Sequence, residues 1–192
     1  MKTIITLIAL ASTATFSWME LRETDSIVIE EEIQRALQES GVDLTQLKRL
    51  IISGKELEKL DRLKDVTAIE DLNLSDNQIE NLMPLGQLDN LIVLDLSKNE
   101  ISDLSPLTGL AKLRYLNLNQ NQVASLEPLR SMPELEGLIL VGNNQVDLSL
   151  LMGMKNLRSL YLAPGPNLSQ ADLDQIQAAL PNCMITVTAS TE

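Results

Sequence analysis

The sequence contains no histidine, one cysteine and very few aromatic residues, and each shortage excludes a class of protein. Without histidine the chain lacks the commonest general base and metal ligand. The single cysteine, Cys183, excludes an internal disulfide and a zinc site built from several cysteines. Aromatic residues make up 2% of the 192 residues, so the core must be aliphatic, chiefly leucine. We expect no metal, no cofactor and a buried cysteine.

Basic residues are also in short supply, with 15 Lys and Arg against 27 Asp and Glu. The formal net charge is −12. Proteins that bind nucleic acids gain much of their affinity by neutralising phosphates with Lys and Arg, so a nucleic-acid partner is excluded. The same excess of acid disfavours an anionic membrane surface.

Long apolar runs are missing too, and the apolar stretch near the N-terminus is too short to span a bilayer. The first residues read MKTIITLIALASTATFSW, with an early Lys2, an apolar stretch and then small residues. This layout is typical of a secretory signal peptide cut after Ala14. It predicts a signal peptide at 1–14, a periplasmic or secreted protein and no membrane insertion. The alternative is a slightly hydrophobic N-terminal helix of a cytosolic protein.

Leucine is abundant, and it recurs in a unit of 22 residues. Three successive units contain LNLSDNQIENLMPLGQ (72–87), LDLSKNEISDLSPLTG (94–109) and LNLNQNQVASLEPLRS (116–131). The L-x-L element alternates with period two, as a short strand does, and the later apolar residues lie three apart, as in an extended or 3-10 return. Stacked coils would pair their strands in a parallel sheet, about 4.8 Å apart. Six units are predicted to start at residues 44, 66, 88, 110, 132 and 154.

An asparagine follows each strand in four of these units. A sharp turn out of a strand leaves backbone N–H and C=O groups unpaired in the core, and a short amide can satisfy both kinds. We therefore interpret these asparagines as an internal ladder and not as catalytic residues. The prolines fall on the return side, where no ladder N–H is needed. The asparagines are Asn77, Asn99, Asn121 and Asn143, and the prolines are Pro84, Pro106 and Pro128.

The pattern L-x-x-L-x-L-x-x-N-x-I/L over 44–162 resembles that of leucine-rich repeat proteins. The 22-residue length and the endings LMPLGQL, LSPLTGL and LEPLRSM look like the bacterial internalin type. A similar intracellular type occurs in a eukaryotic protein-phosphatase regulatory subunit. The resemblance implies an α/β fold: a right-handed leucine-rich repeat solenoid with a concave parallel β-sheet, a 3-10 or extended convex side and helical caps. It also implies ligand binding on the concave side and no enzymatic activity.

An open solenoid needs caps at both ends. The stretch 26–41 reads as an amphipathic helix, and the stretch 169–180 begins with Ser169 and Asp172 in capping-box-like spacing. A last strand would then place Cys183, Ile185 and Val187 on the core side. The predicted order is signal peptide 1–14, N-terminal segment and cap 15–43, repeats 44–162, C-terminal cap 163–187 and tail 188–192.

Residues that flank the strand leucines should point away from the core, onto the concave face. We predict that Tyr115, Ile139, Val141 and Tyr161 form an apolar anchor beside a polar, mildly acidic strip. A partner segment with aliphatic and basic residues would suit this surface. The alternative is that the C-terminal cap covers part of the anchor. The predicted partner-binding residues are Asp71, Asn73, Val93, Asp95, Tyr115, Asn117, Ile139, Val141 and Tyr161.

These observations predict a non-enzymatic, exported, monomeric module that binds a partner protein. The alternative is an intracellular regulatory subunit that docks on a partner enzyme. An enzyme with Asp71 and Asp95 as paired carboxylates is disfavoured, because the face is open and no histidine or metal motif supports them. Carbohydrate binding would need more aromatic platforms than two tyrosines provide.

Overall fold

A computed structural model describes residues 46–143, 147–165 and 168–188, and these residues form a regular coil of stacked turns. The predicted signal peptide and the helix predicted at 26–41 lie outside the described residues. Seven short strands form one parallel sheet in chain order, so each coil pairs with the coil before it and the coil after it. The strands are β1 (Arg49–Ile51), β2 (Asp71–Asn73), β3 (Val93–Asp95), β4 (Tyr115–Asn117), β5 (Gly137–Ile139), β6 (Ser159–Leu162) and β7 (Met184–Val187).

The register of the sheet follows the 22-residue repeat. Leu72 pairs with Leu94, and Leu94 with Leu116, so matching leucines of successive coils stand side by side. The last pair departs from this spacing, because Leu160 lies beside Ile185 of the cap. The predicted stacking of the coils is confirmed.

The core is a continuous stack of aliphatic side chains that runs through all the described coils. Leu94 and Leu96 of the third coil are 1% and 0% exposed, whereas Asp95 between them is only partly buried. This alternation follows from the strand, where successive side chains point to opposite faces. The core therefore lies behind the sheet, and the front of the sheet remains available for contacts.

The asparagines form the predicted ladder inside the turns. Asn99 donates from Nδ2 to the carbonyl oxygens of Leu74 and Leu96, both at 3.0 Å, and its Oδ1 accepts from the backbone N–H of Ile79 at 3.0 Å. Asn77 and Asn121 make equivalent bonds and are also buried. Each amide thus satisfies the backbone of its own coil and of the preceding coil.

A second feature of the turns escapes the sequence analysis. Five residues, again 22 positions apart, have a positive φ of between 53° and 76°, and Glu56 of the first coil has a further positive φ of 56°. Only glycine adopts this left-handed conformation without strain. The column consists of Gly54, Asp76, Lys98, Gln120 and Gly142.

The return side of each of the first five coils contains a short 3-10 helix, as predicted. A proline stands in the first turn of three of these helices, and its fixed φ suits that position. Side-chain acceptors precede the helices: Asp103 accepts from the N–H of Ser105 at 2.8 Å, and Asp147 from that of Ser149 at 2.9 Å. These hydrogen bonds lower the pKa of both aspartates. The 3-10 helices span Asp61–Asp65, Met83–Gln87, Ser105–Gly109, Glu127–Ser131 and Leu148–Gly153.

The C-terminal cap consists of helix α1 (Gln170–Ala179) followed by β7. The helix begins with the expected capping box, in which the N–H of Ser169 donates to Asp172 Oδ2 at 2.8 Å and the N–H of Asp172 donates to Ser169 Oγ at 3.2 Å. Cys183 is buried as predicted, and this burial raises the pKa of its thiol. The prediction for Val187 was wrong: it is 40% exposed, and β7 lies at the edge of the sheet that the described residues form.

Candidate functional site on the concave face

The strands place all the predicted binding residues except Val141 on the front of the sheet. The register aligns them in two files that cross the strands. The first file contains Asp71, Val93 and Tyr115, and it continues to Gly137. The second file contains Asn73, Asp95, Asn117, Ile139 and Tyr161.

Val141 does not belong to this surface, and its prediction as a binding residue is corrected. It is only 8% exposed. The strand ends at Ile139, and Val141 lies in the turn that follows, where its carbonyl oxygen accepts a hydrogen bond from the N–H of Gln120 at 2.7 Å. The chain has left the plane of the sheet at this point, so the alternation of the strand no longer applies.

The three remaining apolar anchor residues are accessible to different degrees. Tyr115 is 44% exposed, which makes it one of the most exposed large apolar side chains of the described part. Ile139 and Tyr161 are partly buried. The cap strand β7 places Thr186 beside Tyr161, so the cap covers part of this side chain without sealing it.

The ring of Tyr115 lies directly over Gly137 of the next strand. A Cβ atom on Gly137 would stand 2.7 Å from Cδ1 of the ring, so only glycine leaves room for this position. The hydroxyl of Tyr115 donates to Glu136 Oε2 at 3.3 Å, and the guanidinium of Arg114 lies 5.9 Å from the ring centroid. The ring is therefore held on several sides, and a held ring loses little entropy when a partner binds it.

The polar residues of the second file have a structural task that the sequence analysis missed. In Asn73, Asp95 and Asn117, the side-chain Oδ1 accepts from the backbone N–H two residues later, at 2.9, 2.9 and 3.0 Å. This local bond closes the end of each strand, a role for which Asn and Asp are well suited. The Oδ1 atom of each side chain is thus used by the backbone. The other polar atom, which is Nδ2 in the asparagines and Oδ2 in Asp95, faces outward.

Most of the charges on this face are paired within the protein. Arg49 bonds Asp71 at 2.6 Å, and Arg114 bonds Glu136 at 2.7 Å. The pKa of the Glu136 carboxyl is lowered, mainly by the hydrogen bond from Arg114. Asp95 has no ion pair among the described residues. Of the two carboxylates in the described files, Asp71 has an arginine partner and Asp95 does not.

The carboxylates of Asp71 and Asp95 lie on neighbouring strands but do not stand opposite each other. Asp71 stands beside Val93 and Asp95 beside Asn73, so the two carboxylates belong to different files. Among residues 46–143, 147–165 and 168–188, no three His, Cys, Asp or Glu side chains are grouped so that they could hold a metal ion. No helix within those ranges is long and apolar enough to cross a membrane.

Comparisons with known proteins agree with this architecture. The family model for two copies of leucine-rich repeats matches residues 89–131. No curated protein sequence matches the chain significantly.

Three solved structures of bacterial proteins share this fold. An internalin (inlF) from Listeria monocytogenes is 24% identical with a TM-score of 0.60, over 85% of this chain and 54% of that chain. A leucine-rich repeat protein of Leptospira interrogans is 27% identical with a TM-score of 0.64, over 72% and 36%. Internalin C2 of Listeria monocytogenes is 23% identical with a TM-score of 0.57, over 77% and 76%.

The chain thus spans about half the length of the first of these proteins and about a third of the second. The family model falls on the central repeats. Together with the 22-residue period and the register of the sheet, these similarities show that the chain has the leucine-rich repeat fold.

Proposed function

We propose that the protein is a non-enzymatic recognition module that binds a partner protein on the concave face of the sheet. The observation that carries this proposal is the exposed ring of Tyr115, held over Gly137, together with the partly exposed side chains of Ile139 and Tyr161 in the second file, on the next two strands. Tyrosines contribute large contact areas at low entropic cost and are enriched where binding energy concentrates. The stacked coils hold these side chains on a rigid surface.

We further propose that the protein is exported to the periplasm or the outside of the cell. The support is the pattern of residues 1–14, with an early lysine, a short apolar stretch and a small-residue cleavage site. Cell fractionation and sequencing of the mature N-terminus test this. An intact Met1 in the cytosol would overturn export and favour the intracellular regulatory subunit.

The binding face is tested by photo-crosslinking in living cells. A photoreactive amino acid replaces Asn117 or Tyr161 on the concave face, or Gln87 as a control, since Gln87 is exposed in the 3-10 helix Met83–Gln87 of the convex side. We expect the same partner protein from both concave positions and not from Gln87. Equal capture from all three positions would contradict the concave face as the binding surface.

A double substitution separates binding from folding. Tyr115→Ala with Tyr161→Ala should abolish the crosslink from Asn117 while the melting temperature changes by no more than a few degrees, because both side chains are at least partly exposed. A large fall in melting temperature would show instead that the tyrosines act in packing.

A further inference from the structure

The uncompensated charge of Asp95 indicates the chemistry of the partner. Its Oδ1 is used by the N–H and the hydroxyl of Ser97, at 2.9 and 2.6 Å. No hydrogen bond or ion pair engages Oδ2 within the described residues. Asp71 on the neighbouring strand and Glu136, which precedes β5, already have arginine partners. A partner's cation would therefore gain a charge-assisted hydrogen bond at Asp95 without breaking an existing pair.

The apolar end of the same file lies at a definite distance. Asp95, Asn117, Ile139 and Tyr161 are in register on β3, β4, β5 and β6. Three strand spacings separate Asp95 from Tyr161, and neighbouring strands are about 4.8 Å apart, which gives about 14 Å. A partner that contacts both ends must span this distance along the file.

In an extended partner segment, only one separation between two side chains matches the distance of about 14 Å between Asp95 and Tyr161. Extended residues advance about 3.4 Å each and alternate between two faces, so side chains on one face are about 7, 14 and 20 Å apart at separations of two, four and six residues. We propose that the concave face binds an extended segment of a partner protein in which Lys or Arg lies four residues from a large apolar residue. This proposal rests on the function proposed above.

In the bound state the basic side chain meets Asp95 and the large apolar side chain meets Tyr161. The residue midway between them on the same face contacts Asn117 and Ile139, whose mixed polarity suits a small or amphipathic side chain. A helical segment would instead need seven to eleven residues to cover the distance, since a helix rises about 1.5 Å per residue. The spacing within the partner therefore distinguishes the two kinds of segment.

The experiment uses a displayed library of random linear twelve-residue peptides, selected against the full chain. We expect the enriched sequences to carry Lys or Arg four residues from Leu, Ile, Met, Phe, Tyr or Trp. Enrichment at separations of seven to eleven residues, or no preferred separation, would overturn the inference.

A synthetic peptide from the selection then serves in a double-mutant cycle. Asp95→Asn in the protein and Lys→Gln in the peptide should each weaken binding about tenfold or more, and together no more than either alone. The matched control is Asp89→Asn, an exposed carboxylate outside the strands, which should leave the affinity unchanged. Independent, additive effects would overturn the contact with Asp95.

Failure of this inference and failure of the proposed function give different results. Peptides that depend on Tyr115 and Tyr161 but show no basic residue at the fourth position would overturn the inference and leave the concave face as the binding surface. Peptides whose affinity is unchanged by Tyr115→Ala, Tyr161→Ala and Asp95→Asn would overturn both. A selection that enriches no peptide would overturn the inference that the concave face binds an extended segment.

Discussion

Single side chains in this protein often act by satisfying the backbone. The clearest case is Asn99, whose amide bonds backbone groups of its own coil and of the preceding coil while it is only 8% exposed. An unsatisfied buried donor or acceptor costs about 1–3 kcal/mol. The ladder residues are therefore expected to contribute more to stability than their small side chains suggest.

We predict that Asn99→Ala lowers the free energy of unfolding by about 3–5 kcal/mol, because several buried backbone groups lose their partner together. Urea denaturation followed by circular dichroism measures it. Asn90→Ala is the control, since both hydrogen bonds of its side chain are exposed: Nδ2 donates to the carbonyl oxygen of Thr67 at 3.0 Å, and Oδ1 accepts from Lys112 Nζ at 2.8 Å. That change should cost less than about 1 kcal/mol. Equal losses would contradict the role of the ladder.

The left-handed turn position gives a prediction of the opposite sign. Lys98 is exposed and has φ 56°, which costs a residue with a side chain about 1–2 kcal/mol. Lys98→Gly removes this strain but adds freedom to the unfolded chain, so we expect a net stabilisation of about 0.5–1 kcal/mol. Thermal and urea denaturation test it. Lys59→Gly, at an exposed position without a positive φ, should be destabilising.

Gly137 is predicted to position the ring of Tyr115. Gly137→Ala should leave the fold intact but push the ring aside, because the new Cβ would stand 2.7 Å from Cδ1. With fluorine-labelled tyrosine the chain gives two resonances, one for each of its two tyrosines. We expect the resonance of Tyr115 to move and that of Tyr161 to stay. Two unchanged resonances would contradict this.

At the level of secondary-structure elements, the sequence predicts the strands and 3-10 helices that recur in the coils. Leucine spacing locates the strands, and proline locates the 3-10 helices, because both are constraints on the backbone that recur every 22 residues. The left-handed column was also readable in principle, since Gly54 and Gly142 share its period. It was missed because the three coils between them carry other residues there.

The candidate site is predictable only in part. Strand alternation correctly places Asp95, Tyr115 and Tyr161 on the front of the sheet, but it fails for Val141, where the strand has already ended. The packing of the Tyr115 ring over Gly137 could not be predicted, since a repeat specifies the backbone and not the rotamer of a surface side chain. Ion pairing likewise depends on the rotamers of long side chains.

The cap helix α1 provides a pH-dependent prediction. Hydrogen bonds from Ser169 lower the pKa of Asp172 in the folded protein, so the carboxylate contributes stability above its ordinary pKa and loses it as the pH falls through the lowered value. Ser169→Ala should lower stability by about 1 kcal/mol at pH 7. In urea denaturation, the difference from the unmodified protein should shrink as the pH falls from about 4, the ordinary pKa of an aspartate, through the lowered pKa of Asp172. A difference independent of pH would contradict the capping box as its source.

At the scale of the whole molecule, the fold is nearly one-dimensional, because each strand pairs with its sequence neighbours. In such a solenoid the stability is approximately a sum of coil and interface contributions, and extra coils are tolerated. The same geometry sets the distances on the concave face, which increase by one strand spacing with each added coil. Adding a coil therefore changes the distance between two binding residues on different strands without changing the residues themselves.

A designed insertion combines these points. A second copy of residues 88–109, inserted after Gly109 and carrying Asn in place of Asp95, adds one coil between the carboxylate and Tyr161. We expect a folded, longer protein, detected by small-angle X-ray scattering, with a steeper dependence of stability on urea because more surface is buried. Asp95 and Tyr161 would then be about 19 Å apart, so the preferred separation in the selected peptides should move from four residues to six. If the insertion folds and the preferred separation remains four, the partner segment does not run along this file. A separation of four residues spans only about 14 Å, which is too short to reach both Asp95 and Tyr161 in the longer protein.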